Sequence, residues 1–248
     1  MSALLASSVR TALRHHADTT RARAVARFFK CGPGEYGEGD RFIGVTVPAQ
    51  RRVARQFRDL PLPEVDALLQ SPVHEERLTA LLILVDQFRR REAQRERIVR
   101  LYLRRLRFVN NWDLVDSSAP QILGAWLLDK PRGQLDRLAR SKNVWRRRVA
   151  MVATLQFNVK GESADAIRIA TLLLKDEHDL IHKATGWMLR EVGKRAGEDA
   201  LRAFLRRHAA TMPRTMLRYA IERFPPAERA RWLAARVQAL GSRSTRVP

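Results

Sequence analysis

Apolar residues recur at three- and four-residue spacing along almost the whole chain, and that periodicity limits it to stacked amphipathic helices. Alternation of the kind a strand needs is confined to RFIGVTV, Arg41 to Val47, so the expected fold is all-α. Helices are expected over stretches such as 62–70, 73–90, 111–128, 144–158, 178–195 and 226–239, joined by short turns. Helix pairs beginning near 62, 92, 131, 163 and 198 are spaced by roughly 30 to 40 residues, the period of HEAT-like repeats. The expectation is a curved α-α superhelix, a solenoid whose concave face carries basic side chains. It would form one domain over 1–240, interrupted by a Gly-rich loop at 31–44 and followed by a flexible tail at 241–248.

The charge narrows the partner. Lys and Arg number 47 against 26 Asp and Glu, a net charge of +21, and only 7 of the 47 are Lys. Such an excess points to a polyanion, and the planar Arg fork suits bidentate phosphate contacts better than a point charge does. Apolar runs such as Ala80 to Val85 stop far short of the roughly 18 residues of a membrane span. The single cysteine, Cys31, fits a reducing compartment, and the cytoplasm is the expected location. The first thirty residues are rich in Arg and Ser, as an organellar leader would be, but Phe28 and Phe29 read as the start of a core.

Three helices carry residues on unexpected faces. In DEHDLIHKATGWMLREVGKR, Ile181, Ala184, Thr185, Met188 and Val192 form the buried stripe, and Lys183, Trp187 and Arg190 fall on the other side. A large aromatic between two cations suits a nucleotide platform. In NNWDLVDSSAPQILGAWLL, Trp112 and Asp116 lie four apart on the shoulder of the apolar stripe. Asn110 or Asn111 caps, and Asp113 points to solvent near the helix start. Pro120 lacks an N–H and crowds the carbonyl of Asp116, so a kink is expected there. In NVWRRRVAMVATLQF, Asn143 caps, Arg148 lies close to the buried stripe and needs an anion, and Arg146 and Arg147 point outward. His178 and His182 are spaced for a metal but lack a further ligand cluster, so neither metal nor cofactor is expected.

On these residues the sequence resembles the AlkD-type DNA alkylation repair glycosylases, a HEAT-like repeat family. The motifs are ARFFKCGPGEYGEGDRFIGVTVPAQRR, NNWDLVDSSAPQILG, WRRRVAMVATLQF and IHKATGWMLREVGKR. The resemblance implies that Trp112 and Asp116 are the catalytic pair, Arg148 the active-site arginine, Trp187 a second aromatic wall and Arg51 a phosphate contact. Arg52, Arg147, Lys183, Arg190 and Arg218 complete the cations expected to meet DNA. Asn111 and Tyr219 depart from the residues common in the family, and Phe28 stands where a tyrosine can occur.

The implied activity is hydrolysis of the N-glycosidic bond of cationic N3- or N7-alkylated purines, 3-methyladenine and 7-methylguanine, in duplex DNA. A monomer without an obligate protein partner is expected. The competing reading is an inactive helical-repeat module that binds damaged DNA and has no need of Asp116.

Overall fold

The computed structural model describes residues 4–234. The chain divides into two compact units, one ending at Trp126 and the other beginning at Leu127. The first contains α1 (Ala6–Arg14), α2 (Thr19–Phe28), α3 (Val47–Gln56), α4 (Leu62–Leu69), α5 (His74–Arg90), α6 (Arg95–Arg104) and α7 (Trp112–Asp116). The second contains α8 (Gly133–Ala139), α9 (Val144–Ala153), α10 (Leu155–Val159), α11 (Ala164–Leu172), α12 (Asp179–Arg195), α13 (Glu198–His208) and α14 (Arg214–Ala220). A last helical stretch runs over 226–234, and the remainder of the helix expected to 239, with the tail at 241–248, lies outside the described residues. None of the described helices is long and apolar enough to cross a membrane.

The architecture is the all-helical repeat that the periodicity predicts. Side-chain caps start several helices: Asp18 accepts from the Arg21 amide, and Asn143 from the amides of Trp145 and Arg146. In the first unit α5 is the central element, packed on α3 and α4 and buried through most of its length. Its first turn is unusual, because His74, Glu75, Glu76 and Arg77 are all buried. In the second unit α12 plays the same part against α9, α13 and α14. Gly186 allows the approach to α14: a Cβ there would stand 2.4 Å from the Met216 carbonyl oxygen and 2.5 Å from the Tyr219 Cβ.

Two expected helices are broken. The helix predicted over 111–128 ends after five residues at Asp116 and resumes as a π-helical segment, Pro120–Gly124. Pro120 cannot bond back to Asp116, while the Ser117 and Ser118 hydroxyls donate to the carbonyls of Asp113 and Leu114, each at 2.6 Å. The predicted kink is thus a break. The helix predicted over 144–158 is likewise divided at Thr154, whose hydroxyl donates to the Met151 carbonyl at 2.7 Å.

The alternating segment after the Gly-rich loop forms no strand, only an isolated bridge between Arg41 and Val73. A buried carboxylate takes the place of a sheet partner. Glu75 accepts from three consecutive backbone amides, those of Ile43, Gly44 and Val45, at 2.8 to 3.3 Å. Gly44 has φ +77°, and a Cβ there would lie 2.0 Å from the Asp18 carbonyl oxygen, so the close approach of this segment to α2 requires glycine.

Candidate active site

The end of α2 supplies the first wall of a cavity in the first unit. Phe28 is its last residue and Phe29 its C-cap, after which the chain turns back at Lys30, with φ +56°, into the Gly-rich loop. Gly37 lies so close beneath Phe29 that a Cβ would meet its carbonyl oxygen at 2.4 Å. The Phe29 ring stacks on Phe42 at 5.2 Å and on Trp112 at 5.1 Å, with interplanar angles of 20° and 15°. Phe28 meets Trp112 edge-on at 5.9 Å. Phe28 is nevertheless 66% exposed, a state its own stacking does not require.

These rings line a cavity of about 550 Å³, with Asp116 and Arg51 also on its boundary. Asp116 is half-buried and also borders a second cavity of about 360 Å³, which Arg51, Arg55 and Arg89 line. The carboxylate therefore stands between an aromatic pocket and an arginine-rich one. Its charge reaches the protein interior: burial, with Asp116 adding to it, pushes the Tyr102 phenol well above its ordinary range. Tyr102 is in turn 3.0 Å from the Ser118 hydroxyl, which ties α6 to the break after α7. Arg51, Arg52, Arg55 and Arg89 are exposed and form no ion pair among the described residues.

Behind the aromatic wall lies a network that the periodicity of the sequence does not reveal. His74 Nδ1 is 2.9 Å from Asp40 and its Nε2 is 2.8 Å from Asp113. Arg77 donates to the other Asp40 oxygen at 2.5 Å, and the side-chain amides of Asn110 and Asn111 lie 3.5 and 3.4 Å from the same carboxylate. Burial opposes a charge on His74, but its hydrogen bonds to Asp113 and Asp40 raise it above its ordinary value of 6.5. Asp40 is held below the usual carboxylate range, its own burial outweighed by His74 and Arg77.

This corrects the expectation for Asp113, which does not point to solvent: its side chain is 16% exposed and bonded to His74. Asn111 is the cap, accepting from the Trp112 amide at 2.8 Å. The sequence signals were an acid closing the glycine run, at Asp40, and a His and Arg three apart at the start of a largely apolar helix.

The remaining expected site residues belong to the second unit. Arg148 is buried, and its guanidinium donates to the Leu180 carbonyl at 2.6 Å. Trp187 is half-buried on α12, off the stripe of Ile181, Ala184, Thr185, Met188 and Val192, all of which are buried. Lys183 pairs with Asp179 at 2.7 Å. Two outward expectations are corrected. Arg147 is half-buried and bonds Asp176 at 2.5 and 3.2 Å as well as the carbonyls of Ser141 and Lys142. Arg190 pairs with Glu222 and lies 3.5 Å from Glu191. Acidic residues within reach had claimed both cations. Arg218 is exposed, and His178 caps α12 by accepting from the Leu180 amide at 3.2 Å.

No curated protein matches the chain. A solved structure described as a predicted DNA alkylation repair enzyme from Enterococcus faecalis superimposes with a TM-score of 0.66 at 17% identity. The match covers 85% of this chain and 98% of that one, and at such identity it speaks to the fold alone. The family model for DNA alkylation repair enzymes matches residues 9–224, and the chain belongs to that family.

Proposed function

We propose that the protein is a monofunctional DNA glycosylase that hydrolyses the N-glycosidic bond of N3- or N7-alkylated purines in duplex DNA. The observation that carries the reading is the placement of Asp116: a half-buried carboxylate, one helical turn from Trp112, between an aromatic cavity and an arginine-lined one.

An N3- or N7-alkylated purine is already cationic. When its bond to C1′ breaks, the electron pair leaves with the base, which departs neutral and needs no acid. The sugar is left with oxocarbenium character. A fixed carboxylate beside it stabilises that charge most where water is partly excluded, and it orients the water that adds to C1′ and then loses a proton. Asp116 is assigned this role. Aromatic faces favour a cation through their quadrupoles, and Trp112 supplies one. Arg51 and Arg52 on α3 are assigned to backbone phosphates. The assignments of Trp187 to a second wall and Arg148 to a flanking phosphate rest on the sequence resemblance.

The lesion itself supplies the leaving-group activation, so the scheme calls for no metal or redox cofactor. The test is incubation of the purified protein with methylated duplex DNA. Released 7-methylguanine or 3-methyladenine supports the proposal, and tight binding to damaged duplex without release would support the non-catalytic reading.

A further inference from the structure

His74 joins three parts of the first unit, and its side chain bonds both the end of the Gly-rich loop and α7. It opens α5, it bonds Asp40 at the end of the Gly-rich loop, and it bonds Asp113 in α7. Its ring also stacks on Phe42 at 4.6 Å and lies 5.0 Å from Phe29, the ring that carries the Trp112 indole on its other contact. His74 is 1% exposed.

Both of its nitrogens face carboxylate oxygens. A neutral imidazole has one N–H and one lone pair, so one of the two contacts would set a lone pair against an anion. An imidazolium donates to both. With Arg77 on Asp40, the buried group then holds two cations and two anions and is neutral as a whole. Burial alone would strip the proton, but the two carboxylates hold the ring above its ordinary range.

Helix α7 needs such a tie. Five residues cannot sustain a helix in isolation, and the break at Ser117 and Ser118 removes support from the following segment. Its rotation about its own axis, which sets the direction of both Trp112 and Asp116, must come from tertiary contacts.

We infer that His74 is a positioning residue of this site: donating to Asp113 on one side and Asp40 on the other, it fixes the rotation of α7 and thereby the aim of Trp112 and Asp116. His74 acts through α7 and takes no part in bond breaking. The activity readout rests on the glycosylase reading, so the test has a second arm that does not.

In that arm, whole protein carrying ¹⁵N-labelled histidine is followed by NMR, together with amide exchange of residues 112–116. The expected result is a His74 ring still protonated on both nitrogens at its ordinary value of 6.5, where a free imidazole is half deprotonated, and faster exchange across α7 in His74→Gln. A ring with one unprotonated nitrogen, or unchanged exchange in the folded variant, overturns the inference. In the activity arm, single-turnover release of 7-methylguanine is expected to fall by about 10²-fold in His74→Gln while affinity for methylated duplex stays nearly constant. The double variant His74→Gln/Asp113→Asn should be no slower than His74→Gln alone, because both remove one tie. Full rate in a folded variant, or additive losses, would refute it. Should His74→Gln fail to fold, Asp113→Asn, which removes the charge from the contact at the less buried end, is read by the same measurements. If the wild-type protein releases no base, the glycosylase reading fails, and the NMR arm still decides the role of His74.

Discussion

Trp112 and Asp116 are the first and last residues of a single five-residue helix, so the indole and the carboxylate share one helical face one turn apart. Any rotation of the helix turns both together. The relationship gives Asp116 a fixed aromatic neighbour and an Arg51 on the same cavity boundary, and its charge is the part on which the proposed chemistry depends.

Asp116→Asn keeps the shape and removes the charge. The expected outcome is a loss of about 10²–10³-fold in the rate of 7-methylguanine release, with affinity for duplex DNA unchanged or slightly increased. Rate and binding measured on the same methylated duplex check this, and a variant with full excision would remove Asp116 from the mechanism.

Binding to DNA should weaken steeply with salt, and Arg51 should contribute to the slope. Each phosphate neutralised adds about −0.9 to the log–log dependence, so Arg51→Ala is expected to make the slope shallower by about that amount. Arg190→Ala should change it less, since that guanidinium already pairs with Glu222. Fluorescence anisotropy titrations at several salt concentrations distinguish the two.

The buried His74 network makes stability depend on pH from both sides. His74 is raised in the folded state, so its contribution is complete below the ordinary value of 6.5 and is lost as pH rises through the folded value. Asp40 is lowered, so its contribution is present above the ordinary value of 3.8 and is lost as pH falls through the folded value. His74→Gln is therefore expected to show a lower Tm overall and a weaker decline on the alkaline side than the wild type. Parallel Tm profiles for the two proteins would contradict the assignment.

Gly44→Ala tests the close contact between the loop and α2. Positive φ and a Cβ 2.0 Å from a carbonyl oxygen should cost at least roughly 2 kcal/mol, read from denaturant unfolding. A neutral substitution would show that the segment is free to retreat from Asp18.

Helical phasing was enough to separate Trp187 from the buried stripe of α12 and to put Trp112 and Asp116 on one shoulder, because those are local consequences of 3.6 residues per turn. Pro120 revealed the disturbance at Asp116 for the same reason, although the serine hydroxyls that turn a kink into a break act through bonds that periodicity does not encode. Asp113, Arg147 and Arg190 were misread as outward because a polar residue off the apolar stripe reads as solvated. Whether it meets water or an acid on another element is decided by tertiary contacts far away in sequence. The buried charges at the start of α5 were hidden in the same way: Glu75 serves backbone amides about thirty residues earlier, and His74 reaches Asp40 and Asp113, each more than thirty residues away.

The shortness of α7 also bears on how this segment can vary in length. Within five residues Asp113 anchors to His74 while Trp112 and Asp116 face the cavity. Adding or deleting one residue between Asp113 and Asp116 would turn the carboxylate by about 100° relative to the anchor. Substitutions along this stretch can be absorbed one at a time, but insertions and deletions cannot, so relatives that keep the activity should keep the count between anchor and carboxylate unchanged even where the surrounding loops differ in length.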